Sequence, residues 1–307
     1  MEYLWIPISV FAALMQAVRT AAQKTLNQSM SNLGTTYVRS LVGLPIMLAY
    51  LGVILLVVGG GVPELSFEYL AYTFAGAAAQ VVATMLLVYV FKLRNFAIGT
   101  MLTKVDILLT AIIGTLLFSE TLSGGGLLAL LVVLAGVLLM TVGRIGVGKL
   151  AAGGSDFSSA LLSKATLVAF GSAFGFTLSY LFLREATLVI APGDFLWRAA
   201  WTVVIATTMQ VVAVGAYLIW AEPGVFRQIW PNRRIVGFIG ATSAVGSILW
   251  FTAFAIQNAS YVRAVGQIEV VFTLLISWAY FKERLTQMEL AGIFVTVLGV
   301  LMFRLIY

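Results

Sequence analysis

The chain has 307 residues, of which 61% are hydrophobic and only 10% charged. That is more apolar surface than a soluble domain of this length can bury, so an all-α integral membrane protein is expected. It contains no cysteine and no histidine, which excludes disulfides, thiolate nucleophiles, imidazole bases and the usual soft-metal ligands; neither a metal nor a cofactor is expected. The net charge of +6 does not point to nucleic acid, because most of the bases lie between apolar stretches, where lipid headgroups and topology account for them.

A bilayer core is crossed by about 20 apolar residues in helix. On that measure the sequence predicts ten spans: 4–26, 33–58, 67–91, 96–118, 124–143, 159–183, 194–220, 235–256, 260–281 and 287–306. The first, which begins "MEYLWIPISV", has no basic leader or small-residue cleavage site and reads as a retained span. Turn-forming stretches separate the rest, among them "GGGVPE" at 59–64 and "SGGG" at 123–126 in the first half, and "APGD" at 191–194 and "WPNRR" at 230–234 in the second. The predicted organisation is a first five-helix unit at 1–145, a connector at 146–158 and a second five-helix unit at 159–307.

The two units repeat. A shift of 163 residues places Phe91–Met140 without a gap on Phe254–Phe303, matching Asn95 to Asn258, Thr110 to Thr273, Glu120 to Glu283 and Gly136 to Gly299. A slightly different offset sets Arg39 on Arg198. Five is odd, so the second copy enters the membrane inverted relative to the first, an arrangement on which many transporters build alternating access. Connections after odd-numbered spans hold Lys24, Lys92, Arg94, Arg144 and Lys149 in the first half, and Lys164, Arg227, Arg233, Arg234, Lys282 and Arg284 in the second. The opposite side has Arg184 and Arg304. The positive-inside rule therefore predicts a basic cytoplasmic side with both termini outside.

The paired endings "LLFSETLSGGGLLALLVVLAGVLLM" and "AYFKERLTQMELAGIFVTVLGVLMF" resemble the fourth-to-fifth helix pattern of EamA-type members of the drug/metabolite transporter superfamily. The resemblance spans essentially the whole chain as two copies. It implies ten helices, inverted repeats, a central substrate cavity and a place in a plasma membrane such as the bacterial inner membrane. Two features depart from the family pattern. Ile107 and Val270 stand where members usually carry a kink-forming proline, and many members have cytoplasmic termini. The first span, "ALMQAVRTAAQK", also resembles that of the small multidrug resistance exporters, with Gln16 at the position of their proton-exchanging glutamate and Lys24 on their lysine. An amide does not titrate near neutral pH, so that exchange mechanism is not implied at this site.

An ionised side chain at the bilayer centre costs about 2.5 to 3.5 kcal/mol or more, so embedded charges face a cavity or a partner. Those needing explanation are Arg19, Arg39, Lys104, Asp106, Arg198, Arg263 and Glu269, with Gln16, Gln80, Gln210 and Gln267 as uncharged companions. At 100° per residue Lys104 and Asp106 diverge and cannot pair with each other, whereas Thr103, Asp106 and Thr110 share a stripe that recurs as Gly266, Glu269 and Thr273. A second stripe, Thr100 and Lys104, recurs as Arg263 and Gln267.

The candidate substrate-binding set is therefore Gln16, Arg19, Lys104, Asp106, Arg198, Arg263, Gln267 and Glu269, with Asp106 and Glu269 as proton-coupling candidates and Asp106 expected to face the solute. Each has a structural alternative. Arg198 and Arg39, near helix starts, suit snorkelling or backbone carbonyls, and Arg19 and Lys104 suit ion pairs with the two acids. Glu120 and Glu283 read as caps of the next helix, and Trp197, Trp201 and Trp250 as interfacial or cavity residues.

Five embedded bases against two acids favour a solute with a carboxylate or phosphate, and the two acids suit an ammonium, so the expected substrate is a small polar organic metabolite, amino-acid-like or another anionic or zwitterionic solute. The competing functions are proton-coupled export of cationic drugs or amines and, from another class, an intramembrane enzyme using Asp106 and Glu269 as acid and base. No phosphate-binding loop for ATP is present, so a secondary, non-enzymatic transporter is expected. Its expected partners are a small-molecule substrate and the lipid bilayer, and both a monomer and a homodimer remain open.

Overall fold

A computed structural model describes residues 3–93, 103–145, 163–280, 282 and 284–305. These fold into helices with no strand among the described residues. Nine of the helices are long and apolar enough to cross a membrane, and a tenth, shorter apolar helix completes the set. In chain order they are α1 (Trp5–Leu26), α2 (Asn32–Val57), α3 (Phe67–Leu93), α4 (Asp106–Leu117) and α5 (Gly124–Ile145), followed by α6 (Lys164–Val189), α7 (Phe195–Ala221), α8 (Arg233–Ile256), α9 (Ala259–Gly266 and Ile268–Ala279) and α10 (Gln287–Leu305). A six-residue helix, Gly224–Ile229, lies in the connection between α7 and α8 and was not anticipated from hydropathy.

Polar starts fix several helices. Ser31 and Ser163 accept from the amides of Gly34 and Thr166 at the beginnings of α2 and α6, and Asp194 accepts from Leu196 at the start of α7. Thr286 and Glu289 exchange side-chain to backbone bonds at the start of α10, a capping box. Gly59 and Gly60 turn the chain after α2 with φ of 81° and 94°, a region that L-residues with a side chain rarely enter.

The principal contacts are symmetric when each helix is exchanged for the one five places on. α1 packs on α8 as α6 packs on α3, α2 on α8 as α7 on α3, and α1 on α9 as α6 on α4; α2 with α7, α4 with α9 and α5 with α10 pair across the axis. This is an inverted pair of five-helix repeats. Lipid supplies no hydrophobic drive between helices, so small residues decide where backbones meet. At the α5–α10 contact a methyl group on Gly136 would come within 2.8 Å of the Gly292 carbonyl oxygen, and one on Gly292 within 2.7 Å of the Gly136 carbonyl oxygen. The outer surface is left to large apolar side chains such as Leu56, Phe67, Leu116, Trp220 and Phe294.

The ninth helix differs from the continuous span expected at 260–281, and of the fourth span, expected at 96–118, the described part begins at Thr103. In α9 the Gln267 amide bonds to Ala264 and the Val270 amide to Gln267, and before α4 the Asp106 amide bonds to Thr103 and Leu108 to Val105. Both segments thus begin with three-residue spacing, within one or two residues of each other in the repeat alignment and without the proline that usually makes such a kink. The consequence is electrostatic. Asp106 and Glu269 fall in the first turn of the helical segments that follow, where the positive end of the helix dipole favours a carboxylate.

Candidate functional site

The tightened starts of these two segments bring the embedded charges of both halves together, and each half's acid takes its base from the other half. Lys104 Nζ lies 2.6 Å from Glu269 Oε2, and Arg263 Nη2 lies 2.6 Å from Asp106 Oδ2. Gln267 donates to Asp106 Oδ1 at 3.1 Å and Gln16 donates to Glu269 Oε2 at 2.9 Å. All six side chains are buried. The stripes derived from helical periodicity therefore meet crosswise: the acidic stripe of one half faces the basic or amide stripe of the other.

Aromatic rings extend this cluster. The Arg263 guanidinium sits 4.4 Å from the centre of the Tyr180 ring and 5.1 Å from that of Trp250, within cation–π range. Trp250 Nε1 donates to Gln16 Oε1 at 2.9 Å. A chain of contacts thus runs from Lys104 through Glu269 and Gln16 to Trp250, and from Trp250 to Arg263 and Asp106.

Trp250 is also a wall of a cavity. The first half of the chain contributes Gln16, Arg19, Arg39 and Gln80 to its lining, and the second half Phe176, Tyr180, Leu183, Ser247, Trp250, Phe251 and Phe254. The room for the centre of a water-sized sphere is about 20 Å³, enough for roughly one water. Arg39 Nη2 donates to Gln80 Oε1 at 2.9 Å and approaches Gln210 Oε1 at 3.5 Å, while its Nε is buried without a partner. Arg19 is buried, makes no hydrogen bond or ion pair among the described residues, and likewise has a partnerless Nε. Two guanidiniums therefore share one enclosed space with no carboxylate bonded to either.

Of the eight candidates, Gln16, Lys104, Asp106, Arg263, Gln267 and Glu269 come together and Arg19 adjoins them at the cavity. Arg198 does not. Its Nη1 and Nη2 donate to the carbonyls of Thr187 and Ala255, each at 3.2 Å, which ties the start of α7 to the ends of α6 and α8. Asp106 does not line the cavity, contrary to expectation, because both of its oxygens are turned to Arg263 and Gln267. Thr100 and Glu283 lie outside the described residues. Of the three tryptophans considered, Trp250 lines the cavity, whereas Trp197 bonds the Gly61 carbonyl at an exposed edge and Trp201 lies elsewhere.

Glu120 caps a helix, but not the following one. Its carboxylate accepts from the amides of Ala259 and Ser260 at 2.6 and 3.0 Å and from Ser260 Oγ, so it caps α9 in the other half. Arg184 stands 3.5 Å from Glu120 and donates to Asn258 Oδ1 at 2.8 Å, completing a seam between the halves that sequence reasoning missed. Its one legible signal was that Arg184 is one of two basic residues, with Arg304, on the sparsely charged side. Among the described residues no group of three or more Asp, Glu, His or Cys is placed to hold a metal.

Comparison with known proteins agrees with this architecture. No curated protein matches the sequence. A crystal structure of a protein superposes with a TM-score of 0.67 over 99% of this chain and 96% of that one, at 15% identity, so the likeness is one of fold. The family model described as the EamA-like transporter family matches twice, over 3–142 and 163–305, which together take in all ten membrane helices: the chain belongs to the EamA-like transporter family.

Proposed function

We propose that this transporter moves small organic anions, with carboxylate or phosphate groups, by alternating access, and that Arg19 and Arg39 hold the anionic group. One observation carries the reading: two buried guanidiniums line one cavity with no carboxylate bonded to either, Glu269 reaching Arg19 only as a charge at longer range. Burying unpaired charge is costly, and a bound anion would offset that cost with charge-assisted hydrogen bonds. The acids that would have welcomed an ammonium are engaged by Lys104 and Arg263. An anion is therefore favoured over a zwitterion, and a cationic drug entering the cavity would face two guanidiniums. The aromatic wall suits an apolar body.

With room for about one water, the cavity must widen to accept a solute, as rocking of the inverted repeats would allow. Protonation of Glu269 or Asp106 would loosen its grip on Lys104 or Arg263, which makes these carboxylates the candidates for coupling transport to protons. We take the basic side as cytoplasmic and both termini as external.

The test is uptake and binding of organic anions by the purified chain in proteoliposomes. Arg19→Gln and Arg39→Gln are each expected to weaken anion binding by about 10- to 100-fold, the range of one charge-assisted hydrogen bond. Anion binding undiminished in both variants would sink the proposal. Asp106→Asn and Glu269→Gln, assayed under an imposed pH gradient, report on the coupling.

A further inference from the structure

The arginine cavity has a polar partition one residue pair thick. Gln210 Nε2 donates to Gln80 Oε1 at 2.9 Å and to the Ala77 carbonyl at 3.2 Å, and Gln210 Oε1 accepts from Ser40 Oγ at 2.8 Å. Arg39 touches both members of the pair. On one side Gln80 lines the cavity. On the other, Gln210 lines a groove of about 260 Å³ that opens on the apolar surface between α3 and α7 beside the start of α2, walled by residues such as Phe74, Ala78, Val82, Ala213 and Tyr217. Tyr217 follows Gln210 by seven residues on α7, so the groove extends roughly 10 Å from the partition toward the cytoplasmic end of that helix. Two apolar side chains would seal this contact more cheaply than two amides at membrane depth. A hydrogen-bonded pair, unlike packed hydrocarbon, can exchange its partners for a charged group that arrives between them.

We infer that the groove seats the apolar tail of the transported solute, while its anionic head reaches Arg39 where the Gln80–Gln210 pair parts. The substrate class is then an amphipathic anion, a carboxylate or phosphate head on a single apolar tail, entering from the cytoplasmic leaflet. This rests on the reading of Arg19 and Arg39 as the head site. The charge and the groove fit one molecule together: the cavity offers positive charge and almost no volume, and the adjoining groove offers volume and almost no polarity.

The test uses the full chain in nanodiscs of zwitterionic lipid, titrated with straight-chain carboxylates from acetate to decanoate and followed by thermal shift, with decanol as the neutral control. With bound carboxylate referred to its concentration in the lipid, so that partition into the bilayer is removed, binding is expected to tighten with chain length through packing in the groove until the groove is filled, and decanol is expected to give no response. Ala213→Trp, on an exposed face of α7, should fill the groove and flatten this dependence while leaving acetate binding unchanged. Arg39→Gln should weaken binding at every length.

Arg39-dependent binding that is indifferent to chain length overturns the tail seat but leaves the anion site standing. Absence of Arg39-dependent binding at any length overturns both. A length dependence that survives Ala213→Trp, or that decanol reproduces, puts the tail elsewhere and overturns the inference. So does a phospholipid that stays with the purified protein in native mass spectra and is not displaced by decanoate, since the groove would then be a lipid seat.

Discussion

The two walls of the cavity come from different halves of the chain and differ in kind. The first half supplies the polar wall, Gln16, Arg19, Arg39 and Gln80; the second supplies the aromatic wall of Phe176, Tyr180, Trp250, Phe251 and Phe254, with Leu183 and Ser247. Yet the helices carrying these walls pack as symmetric equivalents. Duplication thus set the backbone geometry, and divergence of side chains on it made one half the electrostatic partner and the other the shape partner. Arg39 and Arg198 show the same split at aligned positions: one guanidinium opens into the cavity, and the other is held by two backbone carbonyls.

The largest effect is expected where the halves exchange charges. Arg263→Met leaves Asp106 buried without its base and should cost about 3 to 5 kcal/mol, whereas pairing it with Asp106→Leu should recover most of that loss. Chemical unfolding in detergent measures both. A single-variant cost under about 1 kcal/mol would show that water or Gln267 compensates Asp106 and that the crosswise pair does not hold the halves together.

The next effect separates the aligned arginines by kind. Arg39→Gln should reduce anion affinity by the equivalent of about 1.5 to 3 kcal/mol with little change in stability, and Arg198→Gln should do the reverse, lowering stability while sparing affinity. Equal loss of affinity in both would mean that the two halves contribute alike to the site. Glu120→Gln tests the seam, where a neutral cap replaces a charged one on α9; about 1 to 2 kcal/mol of stability should be lost, read as a lower unfolding midpoint.

The ten helices and the repeat were legible because hydrocarbon demands long apolar spans and because polar and glycine matches at one offset are hard to produce by chance. Asp106 and Glu269 were legible as a pair for the same reason: a carboxylate kept twice at membrane depth needs an explanation. Their partners were not. Helical periodicity showed that Lys104 and Asp106 point apart, but which distant base meets each acid depends on how α4 crosses α9. Nor could Arg39 be told from Arg198, since both lie near a helix start and only the surrounding carbonyls distinguish them. The tightened turns at Gln267 and before Asp106 escaped notice because proline was the expected marker. The aromatic wall was hidden among many other aromatics. Phe176, Tyr180 and Leu183 do fall on one face of α6 at i, i+4 and i+7, but in a chain with 20 phenylalanines such a stripe is unremarkable until Arg263 is seen over one of its rings.

The smallest effect addresses a hydrogen bond that joins the two walls. Trp250 belongs to the aromatic wall, yet its indole N–H donates to Gln16 on the polar wall, and Gln16 donates onward to Glu269. Trp250→Phe keeps an aromatic face toward Arg263 and removes the donor, so about 1 kcal/mol of stability should be lost. A double-mutant cycle with Gln16→Leu isolates the bond, and a coupling energy near that value is expected. If the bond also links the cavity to the Lys104–Glu269 pair, Trp250→Phe should change the pH dependence of transport more than Phe254→Leu, which alters the same wall without touching Gln16. Equal pH profiles in the two variants would confine Trp250 to shaping the cavity and leave the ion pairs to respond to solute by another route.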